Sequence, residues 1–175
     1  SQLPPADVIR QIRTTLTDQE IAQVGEAAGE LYQQGFGESL GQLKDVAALI
    51  TDELGDVDAA IDGTFNLEEA TKSALTLSEV FEVDLTDAVN AVGKLLSSGL
   101  VDSSEEGFAA IFDLAQLTGS QFEEALEVVT EFSTSLASLG IDGAQGIDLI
   151  GQAIEMQLFE QVDQAGEVFS EFIEI

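Results

Sequence analysis

The sequence predicts an all-α protein, a multi-helix array of short glycine-terminated helices that becomes repeat-like in its C-terminal half. Three observations predict it. Apolar residues recur at spacings of three and four along most of the chain, and no alternating apolar–polar stretch competes with them. Helix-starting residues precede these stretches at regular intervals. Glycines close them, and Gly99, Gly119 and Gly140 are spaced by 20 and 21 residues, as left-handed residues just past helix ends would be.

The first helix is expected from about Pro5 to Leu16, because proline is tolerated at a first helical position and both prolines, Pro4 and Pro5, lie at its start. Thr17 and Glu20 then have the spacing of a capping box, in which side chain and backbone satisfy each other's free donors. The stretch they open reaches about Leu54 but contains Gly25, Gly29, Gly35, Gly37 and Gly41. Each interior glycine costs about 1 kcal/mol relative to alanine, so two helices broken near Gly35–Gly37 are expected.

From Asn66 the punctuation is regular. Asn66 with Glu69 opens a helix ending near Phe81, and Thr86 caps the next, which stops at Gly99. Ser103 with Glu106 opens a third, ending at Gly119, and Ser120 with Glu123 a fourth, ending at Gly140. Asp142 with Gln145 opens a fifth, and a last helix starts near Asp163. Phe122, Ala125, Leu126, Val129, Phe132, Leu136 and Leu139 form one face of the fourth, with Glu123, Glu124, Glu127 and Glu131 away from it. The final segment repeats that logic with Val162, Ala165, Val168, Phe169, Phe172 and Ile173. The expected organisation is an N-terminal helical segment, 1–63, and a helical array, 64–175, unless both merge into one continuous domain.

Composition removes whole classes of chemistry. The 175 residues include 34 Asp and Glu, five Lys and Arg, and neither His nor Cys, for a formal charge of −29. No imidazole base, thiolate nucleophile or ordinary zinc or haem site can be built from these side chains. An enzyme and a cofactor are therefore not expected. Such a charge repels phosphate backbones, so direct nucleic-acid binding is not expected either. No apolar run approaches the ~18–20 residues of a membrane helix, no basic-then-apolar leader opens the chain, and 45% apolar content suits a folded protein. The expectation is a soluble one. Beyond Lys94, 81 residues carry 16 carboxylates and no cation, so packing there works against self-repulsion.

Candidate sites have plain structural counterparts. Glu123, Glu127 and Glu131 make a row at helical spacing that could draw divalent cations, but a single row lacks enclosing geometry and reads as a solvated face. Asp56, Asp58, Asp62 and Gly63 lack the spacing of a calcium loop. Gly35-Phe36-Gly37 reads as a helix break, since no strand precedes it and residue 40 is Leu. Glu105–Glu106 and Glu123–Glu124 are adjacent pairs that diverge on a helix. Met156, Leu158, Phe159, Val162, Phe169 and Phe172 fit either core or a stripe for self-association or a partner, and Phe159, Val162, Phe169 and Phe172 are the residues expected to carry such a stripe.

Read in succession, GEAAGELYQQGFGESL (25–40), LTDAVNAVGKLLSSGLVDSSEEGFAAI (85–111), FSTSLASLGIDGAQGIDLIGQAIE (132–155) and DQAGEVFSEFIEI (163–175) resemble the helical region of phage tail tape measure proteins, over roughly 22–175. The resemblance implies a segment of a longer, mostly helical virion protein that sets tail length, lies in the tail tube lumen or tail tip, and is released during genome ejection. It implies association with copies of itself, a trimer among the expected forms, and with tail tube and tail tip proteins. No catalytic residue, cofactor or metal ligand is carried over. This sequence has fewer basic residues than the family usually carries. A different class remains open from charge alone: a soluble acidic adaptor, or a mimic of nucleic-acid charge, that binds a basic protein.

Overall fold

The computed structural model describes residues 4–62 and 65–156, with backbone alone for 56–62. Among the described residues there are eight α-helices and no strand, so the chain is an all-α multi-helix array. It divides into two compact units, Ser1–Val89 and Asn90–Ile175.

In the first unit, α1 (Ala6–Thr15) is followed by α2 (Asp18–Gln33), α3 (Leu40–Asp62) and α4 (Leu67–Phe81). The Thr17–Glu20 capping box forms as its spacing predicts: Glu20 N–H donates to the Thr17 hydroxyl, and Thr17 N–H donates to the Glu20 carboxylate. α2 ends because Gly35 takes φ +89°, which turns the chain so that Phe36 N–H reaches Leu31 C=O and Gly35 N–H reaches Tyr32 C=O. Gly37, at φ +73°, completes the break. α3 is the hub, packed against α1, α2 and α4. Leu43, Val46, Ala47, Ala48, Leu49, Ile50 and Leu54 are all buried, so it is apolar around most of its circumference, as a central helix must be. Burying each Leu or Ile contributes about 1.5–3 kcal/mol.

Several expectations are corrected here. α3 runs on to Asp62 instead of stopping near Leu54. α4 packs on α2 and α3 and so belongs with the N-terminal helices, and the division of the chain falls within α5 (Leu85–Ser98), not near residue 63. α4 opens on Asn66 as expected, the Asn66 side chain accepting from Glu69 N–H. It closes on Glu82 in the left-handed region, φ +53°, a conformation no glycine advertised. The cap of α5 is Asp84, whose carboxylate accepts from Thr86 N–H and Asp87 N–H; Thr86 lies already inside the helix.

In the second unit, α6 (Ser104–Thr118), α7 (Phe122–Ser138) and α8 (Gly143–Glu155) pack on one another in all three pairings. Ser103 caps α6 and Asp142 with Gln145 forms a capping box on α8, both at the expected positions. Ser120 does not cap α7. It lies inside a 3-10 turn, Gly119–Gln121, that leads straight into the helix, and the residue at the cap position, Gln121, makes no side-chain cap bond. Gly99, Gly119 and Gly140 all have positive φ, and past α7 Ile141 N–H reaches back to Leu136 C=O. α8 begins against the backbone: a Cβ on Gly143 would stand 2.6 Å from the Leu100 carbonyl oxygen. Gly107 similarly abuts Val92.

Candidate functional site

The amphipathic pattern of α7 decides which of its groups can meet a partner. Phe122, Ala125, Leu126, Val129, Phe132 and Leu136 are buried, joined by Val128 and Ser133, while Leu139 is left 44% exposed. The opposite side carries Glu123, Glu124, Glu127 and Glu131, all exposed. No cation follows Lys94 in the sequence, so these carboxylates face water beside other carboxylates. Among the described residues no cluster of three or more acidic groups could hold a metal ion. The row therefore acts as a field rather than a cage, repelling anions and attracting basic surfaces over about 8 Å at physiological salt.

The other acidic candidates are accounted for locally. Glu106 is committed to its own helix, its carboxylate accepting from Asp102 N–H, whereas Glu105 points to solvent. The backbone is helical through Asp56, Asp58 and Asp62, which is incompatible with a calcium loop there. Gly35-Phe36-Gly37 is the turn between α2 and α3, and it is anchored to α4 from both sides. Lys72 Nζ sits 4.7 Å from the centroid of the Phe36 ring, and the Gln34 amide donates to Glu68 at 2.9 Å. Neither contact was signalled by local pattern, because each joins residues more than 30 positions apart.

Buried polar groups are satisfied within helices. The hydroxyls of Thr51, Thr71, Thr118 and Ser133 each donate to the carbonyl four residues earlier, and Ser78 donates to Val83 C=O across the α4 terminus. Among the described residues no buried side-chain polar atom lacks a partner. The half-buried Glu53 carboxyl is pushed above its ordinary value, first by burial and then by the neighbouring Asp52 carboxylate. No helix among the described residues is long and apolar enough to cross a membrane.

Of the expected self-association stripe, Phe159, Val162, Phe169 and Phe172 lie outside the described residues, as do Leu158 and the helix expected near Asp163. Met156, at the end of α8, is 69% exposed and takes no part in the core. What the described surface offers is thus an acidic exterior with scattered exposed apolar side chains, among them Ile21, Tyr32, Val80 and Met156. No family model, curated protein or solved structure matches this chain.

Proposed function

We propose that this chain is a structural segment of a phage tail tape measure protein. In this reading it lies in the tail tube lumen or at the tail tip, associates with copies of itself and with tube and tip proteins, and helps set tail length. It leaves the particle as the genome is delivered. The observation that carries the reading is where the resembling stretches fall. Residues 25–40, 85–111 and 132–155 each contain a helix end, a left-handed glycine and the start of the next helix. The likeness therefore resides in ordered helix–turn–helix punctuation. The uncompensated carboxylates add a second support, since such a surface repels a passing polyanion.

The test is composition of the particle. Tails purified from virions of the genome that encodes the chain should yield its peptides in several copies per tail. Their absence from intact virions, with the protein present in the producing cell, overturns the reading.

The exposed row Glu123, Glu127 and Glu131 favours a second reading, an acidic adaptor for a basic protein. Such an adaptor would bind cationic partners with affinity falling steeply as salt rises. A tail segment would show no such dependence on a soluble basic partner.

A further inference from the structure

The first unit holds a half-open groove of about 200 Å³ contributed by α1, the α1–α2 link, α2 and α3. Its apolar lining is Leu16, Ile21, Val24 and Ala48, and Val24 and Ala48 belong to a buried cluster on which Leu16 packs. Ile21 remains 47% exposed, a large apolar side chain without cover. The volume is below the ~300–1,000 Å³ of small-molecule sites, so it suits a single apolar side chain offered by a macromolecule.

Gly25 forms part of the lining, in the interior of α2. A Cβ added there meets no atom within 4 Å, so packing does not demand glycine. A side chain added at Gly25 therefore enters the groove without displacing any core atom.

Charge then selects the occupant. Arg13 and Lys44 line the groove, two of only five cations in a chain with 34 acidic residues. Arg13 is partnered by Asp45, and Lys44 has no ion-pair partner among the described residues. An apolar groove edged by the unpaired Lys44 is complementary to the chain's own surface, where exposed apolar side chains stand beside carboxylates, as Val80, 58% exposed, does between Glu79 and Glu82. We propose that this groove is an interface for a second copy of the chain, receiving an apolar side chain flanked by carboxylates. The contact is heterologous, joining two different surfaces, and so builds a ring if it closes and a filament if it does not. The proposal rests on the reading that copies of the chain associate.

Sedimentation equilibrium of the full chain at about 0.15 M salt tests it, because charges farther apart than ~8 Å are then screened. Wild type should self-associate. Gly25→Leu, which fills the groove, and Lys44→Glu, which reverses its charge, should each weaken association by about tenfold or more. Lys94→Glu makes the same change of charge in the other unit and should leave association unaltered. Circular dichroism checks that each variant is folded, and Lys44→Glu, a surface change, keeps the test decisive if Gly25→Leu is not. Association that survives both groove variants, or that Lys94→Glu weakens equally, overturns the assignment of this face alone. A monomeric wild type overturns it together with the reading that copies associate. A monomer whose groove resonances move on adding octanoate would assign the groove to a small anionic amphiphile instead.

Discussion

Replacing glycine by alanine inside a helix normally stabilises it, and in this protein the sign should depend on what the new methyl group meets. Gly29, inside α2, has nothing within 4 Å of an added Cβ. Gly29→Ala therefore keeps the full propensity gain, about 1 kcal/mol. At Gly151, inside α8, the Cβ would meet Leu117 Cδ1 at 2.9 Å. Leu117 is 41% exposed and its Cδ1 can swing aside, but its Cβ, 3.2 Å away, must yield by a few tenths of an ångström, so gain and repacking cost of about 1 kcal/mol nearly cancel. At Gly143 the obstacle is the Leu100 carbonyl oxygen at 2.6 Å, with Val101 Cγ1 at 3.0 Å behind it. Backbone cannot rotate away, so the start of α8 must lift from the segment it rests on. Overpacking of this kind costs about 1–3 kcal/mol, more than a first-turn residue regains from propensity. Urea denaturation followed by circular dichroism should rank Gly29→Ala above wild type, Gly151→Ala level with it and Gly143→Ala below it by about 1–3 kcal/mol. Gly143→Ala at or above wild type would refute the close approach of α8 to the Leu100–Val101 backbone.

Caps give a sharper contrast than their sequence signatures: Thr17→Ala should cost about 1 kcal/mol in urea unfolding, whereas Ser120→Ala should change little because no side chain caps α7. Glu82 occupies the left-handed region at φ +53°, so Glu82→Gly should stabilise by about 1 kcal/mol, read from the same denaturation curves. Glu53 carries a folded pKa raised above its ordinary 4.5, so the folded state holds the proton more tightly than the unfolded chain. The stability from Glu53 is therefore fully present below pH 4.5 and is lost as pH rises through the raised folded value. Glu53→Gln should remove that loss, stabilising the protein at pH 7 with a gain that shrinks on acidification, and a pH-independent difference would contradict the burial argument.

The parts of the fold legible in sequence were those fixed by neighbouring residues. Thr17 with Glu20, Asn66, Ser103 and Asp142 with Gln145 open helices because a cap acts over three residues. Gly35, Gly99, Gly119 and Gly140 close or join helices because only glycine enters the left-handed region without steric cost. The failures have the same physics viewed from outside. Thr86 has a capping hydroxyl, but Asp84 starts the helix two residues earlier by accepting from Thr86 N–H and Asp87 N–H, and Ser120 was displaced by a 3-10 turn continuous with α7. The grouping of α4 with α2 and α3 depends on long-range packing and on Phe36–Lys72 and Gln34–Glu68, which local periodicity does not encode. The groove beside Gly25 was equally hidden, since a glycine reads as a helix weakness until the space around it is known. The acidic exterior needed no structure at all, because charge without a cation to pair it has to face water.

The most direct test of the tail reading is the length of tails assembled with an in-frame deletion of Asn90–Ile175 from the encoding gene. The deletion removes one compact unit of 86 residues, cutting α5 after Val89, and retains α1–α4. A segment that sets length should shorten the tail, by about 130 Å if it lies as continuous helix at ~1.5 Å per residue. If the unit stays folded in the tube, the shortening should be about 30 Å, the breadth of a compact body of this size. Tails of unchanged length would contradict the claim that this chain takes part in measuring them.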